Sequence, residues 1–378
     1  MWRIMDIVAN TSGRKTFPLF PNLPPPCPRP FERDDGAIFD GFGEDPFLTG
    51  LALSAPVQRL KQISFLGALD YIRFPNDNSR AYCRHHNRYE HSIGVARLAL
   101  VYAGIRKLNR RDTRVLAAAG ILHDIGHGPL SHTLEPIFKS EFNISHHRSG
   151  ENILYGRSPF GKEIMKIMSA HGVDLDEVAA MIEGRHEGPH AFLYSGPINL
   201  DTIEGISRSH AFAAKSNCRV NPYRFVAALA KHDEPPIKLT DEFWRMKHEI
   251  YNIFIHNEAG LVLDGLAQAY MRHNIEEFSP DDFLKTEDQL RRRQPTLFHV
   301  FAWARKSIRR ACHHISEHVP EVFEFSLRAP RRNFTIETSV AVHRPADLRR
   351  RYKQSKSFRN ITIGQLVANE HIPGTVGA

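Results

Sequence analysis

Residues Val115–Leu122 (VLAAAGIL) form an apolar run that ends on His123-Asp124 and is followed at once by Gly126, Gly128 and Pro129. Asp112 ahead of the run is a good helix N-cap, and Gly126 with Pro129 stops a helix, so the segment reads as a helix carrying a polar pair at its end. That position matters. Neighbours in mid-helix point about 100° apart, whereas at a terminus an adjacent imidazole and carboxylate can converge on one ion. Two ligands do not make a site, so the fold must bring two more to the same place while leaving a position open for water or substrate.

The chain supplies candidates for both. His91 belongs to a preceding helical pattern, with Ile93, Ala96, Ala99, Leu100 and Ala103 at helical spacing. Asp201 follows a further helical excursion, in the apolar context Ile198-Asn-Leu-Asp201-Thr-Ile. A mixed nitrogen and oxygen set of this kind suits one divalent ion among Mn, Fe, Co, Ni, Mg and Zn rather than a thiolate-selected metal.

The rest of the chain supports a mainly α fold. Val57, Leu60, Ile63 and Leu66 repeat at helical spacing, and helical patterns recur over 148–154, 161–170, 175–183, 202–208, 222–230, 241–255 and 260–272. Phe334–Val342 (FTIETSVAV) alternates like a strand. Residues 18–30 hold seven prolines in thirteen positions, so residues 1–45 read as an extended arm. A core over 46–235 and a helical, basic region over 236–378 complete the expected organisation. Net charge is +8 over 378 residues, yet Gln289–Asn360 alone carries 17 Lys/Arg against 5 Asp/Glu, a local +12 that leaves −4 for the remainder. That region is a candidate contact for nucleic acid, for an effector nucleotide or for a neighbouring subunit. Cys27, Cys83, Cys218 and Cys312 lie far apart, which argues against a disulfide framework or a zinc ribbon. No apolar run approaches a membrane span and no signal-type apolar block opens the sequence, so no membrane partner and a cytoplasmic location are expected.

Two motifs fail on physical grounds. His186-Glu187-Gly188-Pro189-His190 spells HExxH, but Gly-Pro breaks the continuous helix that motif needs. Gly156–Glu163 approaches a P-loop, yet it ends in Glu where a Ser or Thr hydroxyl is required, and no buried strand precedes it.

The ordered set His91, His123-Asp124, Asp201 resembles the HD-domain metal-dependent phosphohydrolase superfamily. The flanking text, Gln58-Arg-Leu-Lys61, His86-Asn-Arg-Tyr-Glu-His91 and His123-Asp-Ile-Gly-His-Gly-Pro-Leu-Ser-His132, is similar to the deoxynucleoside triphosphate triphosphohydrolases. The likeness covers roughly residues 45–275. It implies an HD-domain helical bundle with a helical C-terminal extension and a small β element, a nucleotide substrate, and assembly as a homo-oligomer. By position it implies that His91, His123, Asp124 and Asp201 hold one metal, that His127, His132 and His146 act on the phosphoryl and leaving groups with Glu135 orienting them, and that Arg88 contacts phosphate.

The substrate pocket departs from the family pattern. Phe65, ahead of Leu66-Gly67, stands where the family reads a sugar hydroxyl with Gln. Gly205 replaces a Tyr, Ser209 replaces an Asp, Thr202 replaces a Lys, and Arg208 persists. The expected activity is therefore hydrolysis of a nucleotide phosphate ester or anhydride, on the dNTP triphosphohydrolase pattern (deoxynucleoside plus triphosphate) with an altered sugar and phosphate pocket. The alternatives are a phosphohydrolase for another or modified nucleoside phosphate, a di-iron HD-type oxygenase, and a regulatory protein that binds nucleotide or nucleic acid.

Overall fold

A computed structural model describes residues 45–71, 86–196, 198–213, 221–231, 236–251, 255, 258–304, 307–316, 324–328 and 357–362. The frame of the site is an antiparallel pair of helices, α3 (Arg88–Arg106) and α4 (Arg110–Leu122), with two short helices ahead of it, α1 (Pro46–Leu53) and α2 (Ala55–Arg59). The Asn87 side chain starts α3 by accepting from the Glu90 N–H at 2.8 Å, and Lys107 ends it in the left-handed region at φ 53°. The N-cap of α4 is Asn109, which accepts from the Asp112 N–H at 2.9 Å. Asp112 instead sits three residues in, because Asn109 already satisfies the first free N–H groups. The turn at Lys107 makes the pair a hairpin, and His91 and His123 each lie sixteen residues from it. The start of α3 is thereby set beside the end of α4.

Seven further helices close around this pair: α5 (Glu135–Phe142), α6 (His146–Leu154), α7 (Glu163–Ala170), α8 (Leu175–Ile182), α9 (Leu200–Ala213), α10 (Pro222–Lys231) and α11 (Ile237–Ile250). Helix α9 crosses α3 at Gly94, where a Cβ would lie 2.3 Å from Glu204 Oε1. That close approach brings the first turn of α9 to the ends of the hairpin. Beyond it lie α12 (Glu258–His273), α13 (Glu287–Arg293), α14 (Pro295–Ala304), α15 (Ile308–Ser316) and an antiparallel ribbon of β1 (Glu324–Arg328) and β2 (Ser357–Thr362), with Phe325 opposite Ile361. One apolar cluster runs from Phe47 through Tyr89, Tyr102, Phe138 and Phe225 to Phe301 and Ile315. At its near end, Arg114 makes a bidentate pair with Asp45 at 2.9 and 2.8 Å.

The fold is mainly α, as the periodicity indicated, with local differences. The spacing through Val57–Leu66 does not make one helix: α2 tightens into a 3-10 turn at Leu60–Gln62, and Ser64 bridges to Asn87. The helix expected over 241–255 runs Ile237–Ile250. The strand expected over 334–342 and the arm over 1–44 lie outside the described residues. The HExxH letters lie between α8 and a 3-10 turn, with His190 bonded to the Tyr102 hydroxyl at 3.2 Å. Within the basic region, Arg291 pairs with Asp288 and Arg293 with Asp282. No helix among the described residues is long and apolar enough to cross a membrane.

Gly126 is the tightest point beside the site. A Cβ there would lie 2.0 Å from the His146 carbonyl oxygen and 2.3 Å from the Gly150 nitrogen, so α6 rests directly on its backbone. Gly126→Ala is expected to cost about 2 kcal/mol or more through overpacking. Gly104→Ala, which meets nothing within 4 Å, should instead gain about 0.5–1 kcal/mol from helix propensity. Urea unfolding midpoints of the two variants test the contrast.

Candidate metal centre and histidine cluster

Three helices deliver the expected metal ligands. His91 lies in the first turn of α3, His123 caps the end of α4, Asp124 follows it, and Asp201 is the second residue of α9. Their donor atoms converge: His91 Nε2 is 3.2 Å from His123 Nε2 and 3.1 Å from Asp201 Oδ1, and both imidazole nitrogens are 3.6 Å from Asp124 Oδ2.

The other ring nitrogens define what this convergence means. His91 Nδ1 is 2.5 Å from the Glu204 carboxylate, and His123 Nδ1 is 2.9 Å from the Gly120 carbonyl. Both oxygens are acceptors, so both Nδ1 atoms carry hydrogen and, in the neutral rings, both Nε2 lone pairs face the same point. Two such lone pairs beside two carboxylates make a donor set for a cation, a place that a proton on His91 Nε2 fills when no metal is bound. The residues present therefore fit a divalent ion, with second-sphere oxygens orienting both histidines. The Asp201 side chain is 49% exposed while that of His91 is fully buried, which leaves the solvent side of the set open.

Electrostatics agree. Burial alone would lower the pKa of His91, but Glu204 and Asp201 outweigh it and push it up to about 9. Burial alone would raise Asp124, yet Arg88, His123 and His127 hold it well below the usual carboxylate range. Glu204 is likewise brought down to about 2 by Arg208 and His91 against the effect of burial.

A second cluster adjoins the first through Asp124. His127 Nε2 lies 3.2 Å from Asp124 Oδ1, and its ring stacks on His146 with centroids 4.2 Å apart at 9°. Burial and Arg88 push the His127 pKa well down, so it is neutral at neutral pH. Glu135, at the start of α5, accepts from His132 Nδ1 at 3.0 Å, from His146 Nδ1 at 2.5 Å and from the His146 N–H at 2.8 Å. One carboxylate thus orients two imidazoles and leaves both Nε2 atoms available. Although burial opposes it, these bonds hold Glu135 well below the usual range. His132 has a 52% exposed side chain, at the mouth of the site.

The residues expected to touch substrate divide into two groups. Arg88 and Phe65 stand at the centre: Arg88 Nη1 donates to Asp124 Oδ2 at 2.7 Å, Nε donates to Ser131 Oγ at 3.0 Å, and the guanidinium lies over the Phe65 ring at 5.0 Å. Phe65 also packs on the His91 ring at 4.6 Å, and a Cβ on Gly205 would lie 3.2 Å from its Cζ. Leu66 is half-buried beside it. Arg208 is engaged elsewhere, on Glu204 at 2.6 Å and on the Glu90 carboxylate and carbonyl at 3.1 and 2.9 Å, and Ser209 is buried.

Two contributors escaped the sequence reading. Glu204 orients His91, and its signal was its place three residues after Asp201 on one helix face. Ser131 bonds Arg88 only because Leu130 and Ser131 both adopt left-handed backbone, at φ 59° and 45°. Such a conformation costs about 1–3 kcal/mol per residue and persists only when its surroundings impose it.

A helical frame that presents two imidazoles and two carboxylates in this order defines an HD-type metal centre. The HD domain family model matches residues 88–212. The deoxynucleoside triphosphate triphosphohydrolase SAMHD1 homolog of Dictyostelium discoideum is 26% identical over 266 residues, covering 62% of this chain and 46% of its own length. Human deoxynucleoside triphosphate triphosphohydrolase SAMHD1 is 31% identical over 155 residues, 38% of this chain and 23% of its own length. The uncharacterized protein YwfO of Bacillus subtilis is 28% identical over 195 residues, 50% of this chain and 42% of its own length. The chain therefore spans less than half the length of each of these relatives. A hypothetical protein from Aquifex aeolicus shares the fold, with TM-score 0.53 at 21% identity over 68% of this chain and 72% of that one. Residues 88–212 thus match the HD domain, and the chain is similar to deoxynucleoside triphosphate triphosphohydrolases.

Because a metal must displace the proton on His91, metal affinity should rise by up to about tenfold per pH unit between neutrality and about pH 9. Glu204→Gln removes both the orienting carboxylate and the charge that raises His91. It is expected to weaken binding by about 10- to 100-fold at high pH and to flatten the pH dependence. Competition titration with Mn²⁺ between pH 6.5 and 8.5 checks both.

Proposed function

We propose that this protein is a metal-dependent phosphohydrolase acting on a nucleotide. The observation that carries the reading is the junction at Asp124, one oxygen turned to the metal set and the other to the histidine cluster. A bound divalent ion supplies Lewis acidity toward a phosphate oxygen and toward an attacking water. Arg88 adds fixed positive charge at the same point, in a buried setting where it acts most strongly on charge developing in the transition state. Glu135 takes the Nδ1–H of His132 and of His146 and so leaves both Nε2 atoms free; an Nε2 that takes up the proton released by the attacking water can return it to the departing oxygen, and the exposed His132 is placed for that exchange. His127, kept neutral, holds Asp124 and stacks under His146, limiting the motion of both.

Two observations bear on the substrate. Similarity to deoxynucleoside triphosphate triphosphohydrolases supports a deoxynucleoside triphosphate cleaved to deoxynucleoside and triphosphate. Phe65 seated on Gly205 supports a second reading, another or modified nucleoside phosphate, because this wall offers apolar and π surface where a hydroxyl would need a hydrogen bond. In either reading the protein works as an assembly of its own copies, in the cytoplasm where nucleotides are available.

A panel of dNTPs, NTPs and nucleoside monophosphates with Mn²⁺, Co²⁺ or Mg²⁺, with products resolved as triphosphate or phosphate, tests the proposal. Turnover is expected, falling by about a thousandfold or more in Asp124→Ala, and by about 100-fold or more in His132→Ala or His146→Ala. Absence of turnover with metal bound would sink the phosphohydrolase reading. Two irons per chain would favour an oxygenase.

A further inference from the structure

We propose that Glu287, at the start of α13 and 75 residues beyond the matched HD segment, is a positioning residue for the catalytic loop. The inference rests on the phosphohydrolase reading for its kinetic consequences. The loop between α4 and α5 carries His127, Ser131 and His132, and its middle is the left-handed pair Leu130–Ser131. Glu287 Oε1 accepts from the Leu130 N–H at 3.0 Å, from the Ser64 N–H at 2.7 Å and from the Ser64 hydroxyl at 2.6 Å. Oε2 accepts from the Tyr71 hydroxyl at 2.5 Å. The carboxylate thus ties the loop to the segment that carries Phe65. From there the bonding continues inward: the Ser131 hydroxyl donates to the Ser64 carbonyl at 2.6 Å, and Arg88 Nε donates to Ser131 Oγ at 3.0 Å. Arg88 is the residue on Asp124.

A merely stabilising role does not account for this arrangement well. All four donors to Glu287 are neutral, and the residue is 5% exposed, so burial raises its pKa and the ionised group is an expensive way to gain stability. Three bonds fall on one oxygen, and they join the two backbone segments that flank the metal centre, the one bearing Phe65 and the one bearing His132. Neighbouring bonds reinforce the same loop. Thr133 Oγ1 donates to Asp264 at 2.6 Å, and Arg59 donates to the Ile125 and His127 carbonyls at 2.9 and 2.7 Å. Glu287 holds the left-handed pair by the Leu130 N–H, as Ser64 and Arg88 hold it by the Ser131 hydroxyl. Catalytic geometry is sensitive to such support, since a displacement of about 1 Å can cost about 100-fold in rate.

The asymmetry between its oxygens supplies the test. Glu287→Gln can keep the amide oxygen where Oε1 lies and retain three of the four bonds, whereas Glu287→Ala loses all of them. In the full chain, kcat and KM are measured per bound Mn²⁺ on a nucleotide that the wild type hydrolyses, with Phe225→Leu as a distant core control. Glu287→Ala should lower kcat by about 10- to 100-fold while KM and Mn²⁺ affinity stay within about threefold, and Glu287→Gln should recover most of the loss. Phe225→Leu should lower the melting temperature with kcat unchanged. A kcat for Glu287→Ala within twofold of wild type, or a Gln variant no better than Ala, overturns the proposal. If Glu287→Ala does not fold, Ser64→Ala, which removes a single bond, carries the test: a kcat loss of about threefold supports it and no loss overturns it. If the wild type hydrolyses no nucleotide, the functional reading fails separately, and amide exchange over residues 128–134 decides. Faster exchange in the Ala variant and not in Gln supports positioning, and unchanged exchange overturns it.

Discussion

The Asp124 carboxylate is the interaction on which the site depends. Its Oδ2 lies 2.7 Å from Arg88 Nη1 and 3.6 Å from both metal-facing imidazole nitrogens, while its Oδ1 lies 3.2 Å from His127. A buried carboxylate is costly unless opposite charge and hydrogen bonds meet it on every side. The cost explains the surroundings: Arg88 must be present and must itself be held, which commits Ser131 and with it the left-handed turn. The hairpin of α3 and α4 is the minimal scaffold that places Arg88, His91, His123 and Asp124 around one point. Helix α9 then adds Asp201 and Glu204 from a single face.

Phe65 and Gly205 show how two departures from the family pattern can be coupled in space. Phe65 and Gly205 are far apart in sequence, and each alone departs from the family pattern. In space they are one change, because the Phe65 ring occupies room that a side chain at 205 would need. The ring also packs on His91 and lies under Arg88. Arg208 persists for a different reason: it neutralises Glu204, which orients His91. A residue matched to a substrate contact by position is here tied into the support of a metal ligand.

Legibility of the sequence followed the physics of each feature. His91, His123, Asp124 and Asp201 were readable because helix ends and apolar runs place them, and those signals are local. The grouping of His127, His132, Glu135 and His146 was readable only through family resemblance, since their convergence depends on how α5 and α6 fold back. Local competition defeated two finer readings. Asn109 and Asp112 are both capping residues, and the one that reaches the free N–H groups first wins. Val57–Leu66 has helical spacing, but pairing of Ser64 with Asn87 pulls its end into extended backbone. The roles of Ser131 and Glu287 had no local signal, because they arise from positive φ at two non-glycine residues and from contacts across more than 150 positions.

The HD segment at 88–212 contains the four candidate metal ligands, yet the loop carrying His127 and His132 is gripped from both sides of it in sequence. Arg59 and Ser64 come before it, and Asp264 and Glu287 come after it. A strained turn is populated only when bonds outside it outweigh its cost, so the segment that defines the family does not by itself contain what holds its own catalytic loop. The metal centre is an inheritance of the HD helices. On the proposed function, the bonds from Asp264 and Glu287 make α12 and α13 part of what holds the loop that carries His127 and His132.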